Sequence, residues 1–452
     1  MKPYFLVFCA LSLLGQNYTL AADPGWRAGV AQIDITPDYP VRLSGYGSRT
    51  TEHEGVLQRI HAKALALQWS DEAPVVMVTV DNCGVPGALR TEVLARLVKA
   101  GHPIAEERLA LHSSHTHCAP MLRGVLGMLF GADLTAVHQA HVDRYTEDLT
   151  AKVVMVVSQA LDSMAPATAD WGQGDVKFAG NRRLKTPAGF ANSQNPGGIV
   201  DHALPVLRVT GADGKVRAIF TSYACHCTTL GLNQIHADWA GCAQEEMQRL
   251  FPGAIALTAI GCGADQNPFP RREIELAIRH GKELATEAQR VATGGMKPLS
   301  GPILCAAKTV RLPYDTPHTR EEWETLAQST NKWTNYHARH FIAMLDAGKP
   351  VPDALDYRVQ AWSIGGGLTM INLPGEVVVD YSLRFKKTYG QDRTWVNSYT
   401  NDVPCYIPSQ RVWEEGGYEG GGAMIYYGRP NRFASGVEEI IAKAVAEIVP
   451  AP

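Results

Sequence analysis

Residues 74–81 read PVVMVTVD, a nearly continuous β-branched run that ends on a carboxylate. A run of this kind suits a strand covered on both faces. Residues 108–113, 215–223 and 254–260 are expected to form further strands, as are residues 368–372, which end in a Pro-Gly turn. Helical patterns alternate with them at residues 89–100, 143–161 and 243–251. Ile274, Ala277, Ile278, Gly281, Leu284, Ala285 and Ala288 form a stripe of helical period, and residues 437–449 form an amphipathic terminal helix. The alternation predicts an α/β fold, a layered mixed sheet with flanking helices and a ligand site at the strand ends. Without a repeat or an obvious linker, residues 23–452 are expected to form one domain. Residues 313–358 are polar and helix-leaning, and are expected to form an insertion or cover.

Residues 1–22 (MKPYFLVFCALSLLGQNYTLAA) have one Lys, a short apolar run and small residues before the expected cut after Ala22. This is the layout of a signal peptide, so a secreted or periplasmic protein is expected. No other segment offers about 18 uninterrupted apolar residues, so no transmembrane segment is expected. With 42 Lys and Arg against 45 Asp and Glu, the chain lacks the basic excess of a nucleic-acid binder. Eight cysteines follow Cys9, and none sits in a CxxC pair. Disulfides are permitted, though small buried residues are the simpler expectation.

The chain has no GxSxG elbow, HExxH, P-loop or dinucleotide-binding GxGxxG. Its chemistry-bearing residues cluster instead at predicted strand ends. His115-Thr116-His117 follows one strand. In an extended segment both imidazoles would point to one side and could share a metal, or one could bind while the other acts as base. His226 follows another strand, within Ala224-Cys225-His226-Cys227-Thr228-Thr229. Asp238 reads as a helix N-cap or as the partner of a metal-bound His. Glu376, after the 374–375 Pro-Gly turn, reads as a residue opening a helix or as part of the same site.

Taken in order, these sites resemble the neutral/alkaline non-lysosomal ceramidase family. The resemblance rests on Gly29–Pro37, Gly45-Tyr46, His115-Thr116-His117, Asn181-Arg182, Ala224-Cys225-His226, Pro374-Gly375-Glu376, Tyr406 and Tyr418-Glu419. It implies one zinc ion per chain held by His115, His226, Glu376 and Tyr406, with His117, Arg182 and Tyr418 lining the reaction centre. It also implies hydrolysis of an amide by zinc-activated water, with His117 moving the proton and Arg182 and Tyr418 stabilising the oxyanion.

The chain departs from the family pattern in two places. Where ceramidases carry Ser in a G-D-x-S-P block, this chain reads Gly263-Ala264-Asp265-Gln266-Asn267-Pro268. Asp265 and Asn267 are therefore candidate substrate contacts. The C-terminal immunoglobulin-like domain is expected to be absent, since the sequence stops at Pro452. The expected function is cleavage of an N-acyl sphingoid base or related N-acyl compound, a small-molecule or lipid substrate. The alternatives are a zinc hydrolase of the same fold acting on another amide or ester, and a non-catalytic binding protein. Trp323, Trp333, Trp395 and Trp413 are expected in the core rather than in a substrate groove.

Overall fold

The computed structural model describes residues 25–449. The signal-peptide reading falls on residues 1–22 and lies outside the described residues. A nine-stranded sheet forms the larger half of the core. Its strand order is Ile255–Ile260, Val216–Tyr223, Ala203–Gly211, Ala165–Asp175, Trp26–Asp34, His61–Trp69, Val75–Val80 and Leu109–Ser113, with Lys297–Pro298 beside Ala165–Asp175. The pair at each edge is parallel and the interior pairs are antiparallel. The expected mixed sheet is therefore present, and Val75–Val80 with Leu109–Ser113 and Val216–Tyr223 with Ile255–Ile260 are its two parallel edges.

Helices Gly87–Lys99 and Ala136–Asp162 cover one part of this sheet, and Asp238–Leu250 and Ile274–Thr293 cover another. A second sheet, Ile303–Pro313, Ala354–Ile364, Leu368–Asn372 and Thr394–Asn397, packs against the opposite face. Trp171, Phe220, Trp362 and Trp395 fill the space between the sheets, with Phe220 stacked on Trp395 at 4.9 Å. Helices Val379–Tyr389 and Val437–Ile448 close the outer face of the second sheet. Burying several large aromatics at about 25 cal/mol per Å² makes this interior the main apolar contribution to the fold.

The 313–358 expectation is corrected in extent. Its ends belong to two paired strands of the second sheet, Pro313 lying opposite Ala354. Only Arg320–Leu326 and Lys332–Asp346 are helical, closed by Trp323, Ala327, Ala338 and Phe341. Trp323 and Trp395 are buried as expected, whereas Trp333 and Trp413 are only half-buried. All eight described cysteines are free thiols, most of them buried, which fits the small-residue expectation.

The two edges of the large sheet meet at one place. Ser398 N–H donates to Ile260 O at 2.9 Å, Ser113 N–H to Tyr399 O at 3.2 Å and Asn401 N–H to Leu111 O at 2.7 Å. Residues 398–401 thus bridge edge strands that are far apart in sheet order. Beyond that bridge the loops after both strands touch, through Thr116 opposite Cys227 and His117 N–H donating to Cys227 O at 3.4 Å. This closure brings His115 and His226 together, although 111 residues separate them in the chain.

Candidate metal centre

His115 follows Leu109–Ser113 with a φ of 56°, in the left-handed region. The expected extended His-Thr-His segment is therefore corrected: a kink at His115, not strand alternation, turns the two imidazoles toward each other. Their Nε2 atoms are 3.1 Å apart. A non-glycine residue held in that region costs free energy, and such strain gathers at functional sites. His226 follows the parallel strand Val216–Tyr223.

Glu376 and Tyr406 arrive by a different route. Glu376–Val377 is a two-residue strand that pairs in parallel with Tyr406–Ile407, with Glu376 directly opposite Tyr406. The register places the carboxylate and the phenol side by side. Glu376 does not open a helix, because the next helix begins at Val379. Gly375 makes the turn at a φ of 79°, and a Cβ there would lie 2.7 Å from Cys405 O.

The four groups converge. His115 Nε2 is 3.2 Å and His226 Nε2 3.1 Å from Glu376 Oε2, and His226 Nε2 is 3.3 Å from the Tyr406 hydroxyl. The ligand atoms of His115, His226 and Glu376 all lie within 4.8 Å of one another. Each imidazole is oriented from behind: His115 Nδ1–H donates to Cys83 O at 2.6 Å and His226 Nδ1–H to Gly263 O at 2.8 Å. In a neutral imidazole that leaves Nε2 as a bare lone pair. Lone pairs and a carboxylate aimed at one buried point suit a cation, and two imidazoles, a carboxylate and a phenol oxygen form an acceptable set for Zn²⁺. A second grouping, Cys83 with His115 and His117, is less suited. The Cys83 sulfur lies 3.9 Å from His115 Nδ1, the nitrogen already committed to a carbonyl.

The electrostatics agree with a centre built around positive charge. Burial, then the Arg182 guanidinium, pushes the His226 imidazole down to about 3. Burial opposes a charged His115, but Glu376 and Cys83 together outweigh it and raise it to about 10. Glu376 is held well below the usual carboxylate range, because His115 and His226 overcome the cost of burial. Burial, then Glu376, keeps the Tyr406 phenol well above its ordinary range. The negative charge of Glu376 between two imidazoles is the electrostatic setting that favours a cation at this point.

The remaining expected residues surround this point. Every nitrogen of the buried Arg182 guanidinium has a partner: Nε donates to Glu419 at 2.8 Å, Nη1 to Asn267 Oδ1 at 3.3 Å and Nη2 to the Tyr406 hydroxyl at 3.0 Å. Asn267 lies not in a turn but in the short strand Gln266–Pro268, opposite Gly180, which sets it beside Arg182. Its Oδ1 also accepts from Thr228 at 3.2 Å, and its amide nitrogen has no partner among the described residues. The Tyr418 ring lies 5.2 Å from Tyr406. Asp238 opens its helix and accepts from Trp239 N–H at 2.6 Å within the first turn, and it touches no imidazole of the centre. Its carboxylate accepts from the backbone of Thr229 at 3.2 Å and Leu230 at 2.8 Å, pinning the loop after His226. Asp265 accepts from Val379 N–H at 2.9 Å and is pushed up to about 7 by burial, a position behind the site rather than in it.

Sequence reasoning missed two phenols that touch Glu376. Tyr399 donates to Oε2 at 3.4 Å and Tyr427 donates to Oε1. No local pattern marks either residue in a chain with 16 tyrosines. The role of Gly45 in the Gly45-Tyr46 motif also emerges only here. At a φ of 88°, a Cβ at Gly45 would sit 2.3 Å from the His117 ring, which also meets Tyr46 edge-on at 4.8 Å. Gly45→Ala is therefore expected to displace His117 and lower kcat about 100-fold. Metal content should stay near one equivalent, since no ligand of the centre is moved. Kinetics and metal analysis on the same preparation check this.

Comparison with known proteins places the architecture. A solved ceramidase complexed with C2 superposes with a TM-score of 0.71 at 17% identity, covering 95% of this chain and 76% of that one. A neutral ceramidase from Pseudomonas aeruginosa gives a TM-score of 0.69 at 19% identity, with the same coverage. At these identities the likeness establishes the fold. Neutral ceramidase 2 of Arabidopsis thaliana is 25% identical over 258 residues, 55% of this chain, and the match spans about a third (32%) of that curated relative's length. Residues 26–254, which carry His115, His117, Arg182 and His226, match the family described as neutral/alkaline non-lysosomal ceramidase, N-terminal. That match takes in just over half of the 452 residues, and the chain belongs to this family.

Proposed function

We propose that this protein is a zinc-dependent amidohydrolase that cleaves an N-acyl compound, and that it is exported after removal of residues 1–22. The observation that carries the reading is the convergence of His115, His226 and Glu376 on one buried point, with Tyr406 beside them and Arg182, His117 and Tyr418 around it. A divalent ion held there supplies Lewis acidity and lowers the pKa of a bound water from about 15.7 toward 7.

The chain's own residues do the rest. His117 Nε2 faces the centre, and burial, then His115 and His226, hold its imidazole well below the ordinary range. Its position beside the centre places it to accept a proton at Nε2 and return it to the leaving nitrogen. Arg182 fixes the Tyr406 hydroxyl and keeps a second N–H on each terminal nitrogen for a developing oxyanion. The Tyr418 hydroxyl, without a hydrogen-bond partner among the described residues, is a second donor for that charge.

Asn267 favours a substrate other than ceramide. Its carbonyl is taken by Arg182 and Thr228, so the side chain presents N–H groups where ceramidases present a hydroxyl. A substrate that leaves this buried amide unpaired loses about 1–3 kcal/mol, roughly 10- to 100-fold in kcat/KM. Ceramide is expected to be a weaker substrate than a more polar amide or ester, and Asn267→Ser is expected to shift the preference toward ceramide. Efficient ceramide cleavage that Asn267→Ser leaves unchanged would contradict this. The hydrolase reading itself is tested by incubating the zinc-loaded full chain with a panel of N-acyl amides and esters. Release of free fatty acid, abolished by chelation and restored by zinc, supports it, and its absence across the panel refutes it.

A further inference from the structure

Two arginines near the centre have no anionic partner among the described residues. Arg272 follows the Gln266–Pro268 strand at a φ of 96°, with its backbone N–H donating to Thr229 O at 2.7 Å. That tie fixes it to the loop that leads away from His226. Its exposed guanidinium lies 5.7 Å from the centre of the Tyr46 ring, with Nη1 3.5 Å from the Tyr46 hydroxyl. Tyr46 in turn packs edge-on against His117 at 4.8 Å. A Cβ at Gly231 would lie 2.7 Å from Arg272 Nη1, so the glycine leaves the guanidinium its space.

Arg271 is half-buried, and its guanidinium lies 6.0 Å from the centre of the Phe269 ring. Among the described residues it makes no side-chain hydrogen bond, and neither Arg271 nor Arg272 pairs with a carboxylate. Arg182 and Arg183 differ, since both pair with Glu419 and Arg183 also pairs with Glu415. Partial burial, then the Arg272 charge, pushes the Arg271 guanidinium below its ordinary value, with Arg182 adding to the effect. Arg271, half-buried beside a second cation and without a counter-charge, is a place where a ligand's negative charge would be stabilised. The planar guanidinium fork is suited to carboxylate and phosphate oxygens.

We infer that the substrate carries an ionised carboxylate or phosphate, which Arg271 and Arg272 bind beside Tyr46 while the scissile carbonyl lies at the His117 end. The inference rests on the hydrolase reading for the position of the scissile bond. The anion site itself rests on the unpaired arginines.

The test uses the zinc-loaded full chain and three matched compounds: N-octanoylethanolamine, its phosphate ester and N-octanoylglycine. At least one anionic compound is expected to exceed the neutral one in kcat/KM by about tenfold or more, as for charge-assisted hydrogen bonds. Which of the two prevails identifies the anion as phosphate or carboxylate. In Arg271→Ala/Arg272→Ala the advantage should shrink to within about twofold, chiefly through KM, and the corresponding double Lys variant should recover part of it. Equal kcat/KM for all three compounds, or an advantage that survives the double Ala variant, overturns the inference and leaves the hydrolase reading intact. If none is hydrolysed, the hydrolase reading is left to the wider panel and calorimetric binding decides the anion site. Tighter binding of an anionic compound, lost in the double Ala variant, sustains the anion site, and equal binding overturns it. A melting temperature close to that of the unmodified protein confirms that each variant is folded.

Discussion

Replacing His226 with alanine is expected to lower amide hydrolysis by more than about 1000-fold and to reduce bound zinc from one equivalent to a small fraction. Loss of an outer partner of a metal ligand already costs about 10- to 100-fold, and loss of a ligand costs more. His226 contributes twice to the site, since its Nε2 faces both Glu376 and the Tyr406 hydroxyl. His115→Ala should behave alike, because it removes the other imidazole that faces Glu376. The fold should persist in both, as the rings sit in loops beyond the sheet edges and outside the aromatic layer between the sheets. Metal analysis and kinetics on one preparation check the pair. A full equivalent of zinc with normal turnover in either variant would remove that residue from the ligand set.

Arg182→Ala is expected to lower kcat by about 100- to 1000-fold, the range seen when an oxyanion donor is removed. Its effect on stability should be smaller. Breaking a buried ion pair commonly costs about 3–5 kcal/mol because a charge is left unpaired. Here Glu419 keeps Arg183 at 2.6 Å, so the loss should fall below that range. Arg182→Lys should not rescue activity. A single ammonium cannot reach Glu419, Asn267 and the Tyr406 hydroxyl in the fixed geometry of the guanidinium. Near-normal kcat/KM in Arg182→Ala would assign the residue to structure alone.

The legible part of the fold was the part whose environment leaves a simple mark on sequence. Val75–Val80, Leu109–Ser113, Val216–Tyr223 and Ile255–Ile260 are parallel edge pairs, mostly buried, and their apolar and β-branched residues marked them as strands. His61–Trp69 reads HAKALALQW, rich in good helix formers, yet it is an interior strand because Trp26–Asp34 and Val75–Val80 pair with both its edges. Ile303–Pro313 and Ala354–Ile364 were hidden in the same way, one by polar alternation and the other by lying partly within a polar stretch. At the site, His115, His117 and His226 stood out as histidines at strand ends. Asp238 misled because Asp before a helix usually caps it, whereas here a left-handed backbone turns its carboxylate back to the 229–230 loop. Tyr399 and Tyr427 reach Glu376 only through tertiary closure, and closure leaves no periodic signal.

Metal titration of the apo protein tests the centre most directly. Purified full-length chain is stripped with a chelator and then titrated with zinc, while bound metal and hydrolysis of an N-acyl amide are followed together. Activity should rise linearly and reach its plateau at one zinc per chain, with His226→Ala taking up no stoichiometric zinc across the same range. Full activity in the metal-free protein, or a plateau that His226→Ala reproduces, would contradict a metal centre built from His115, His226 and Glu376.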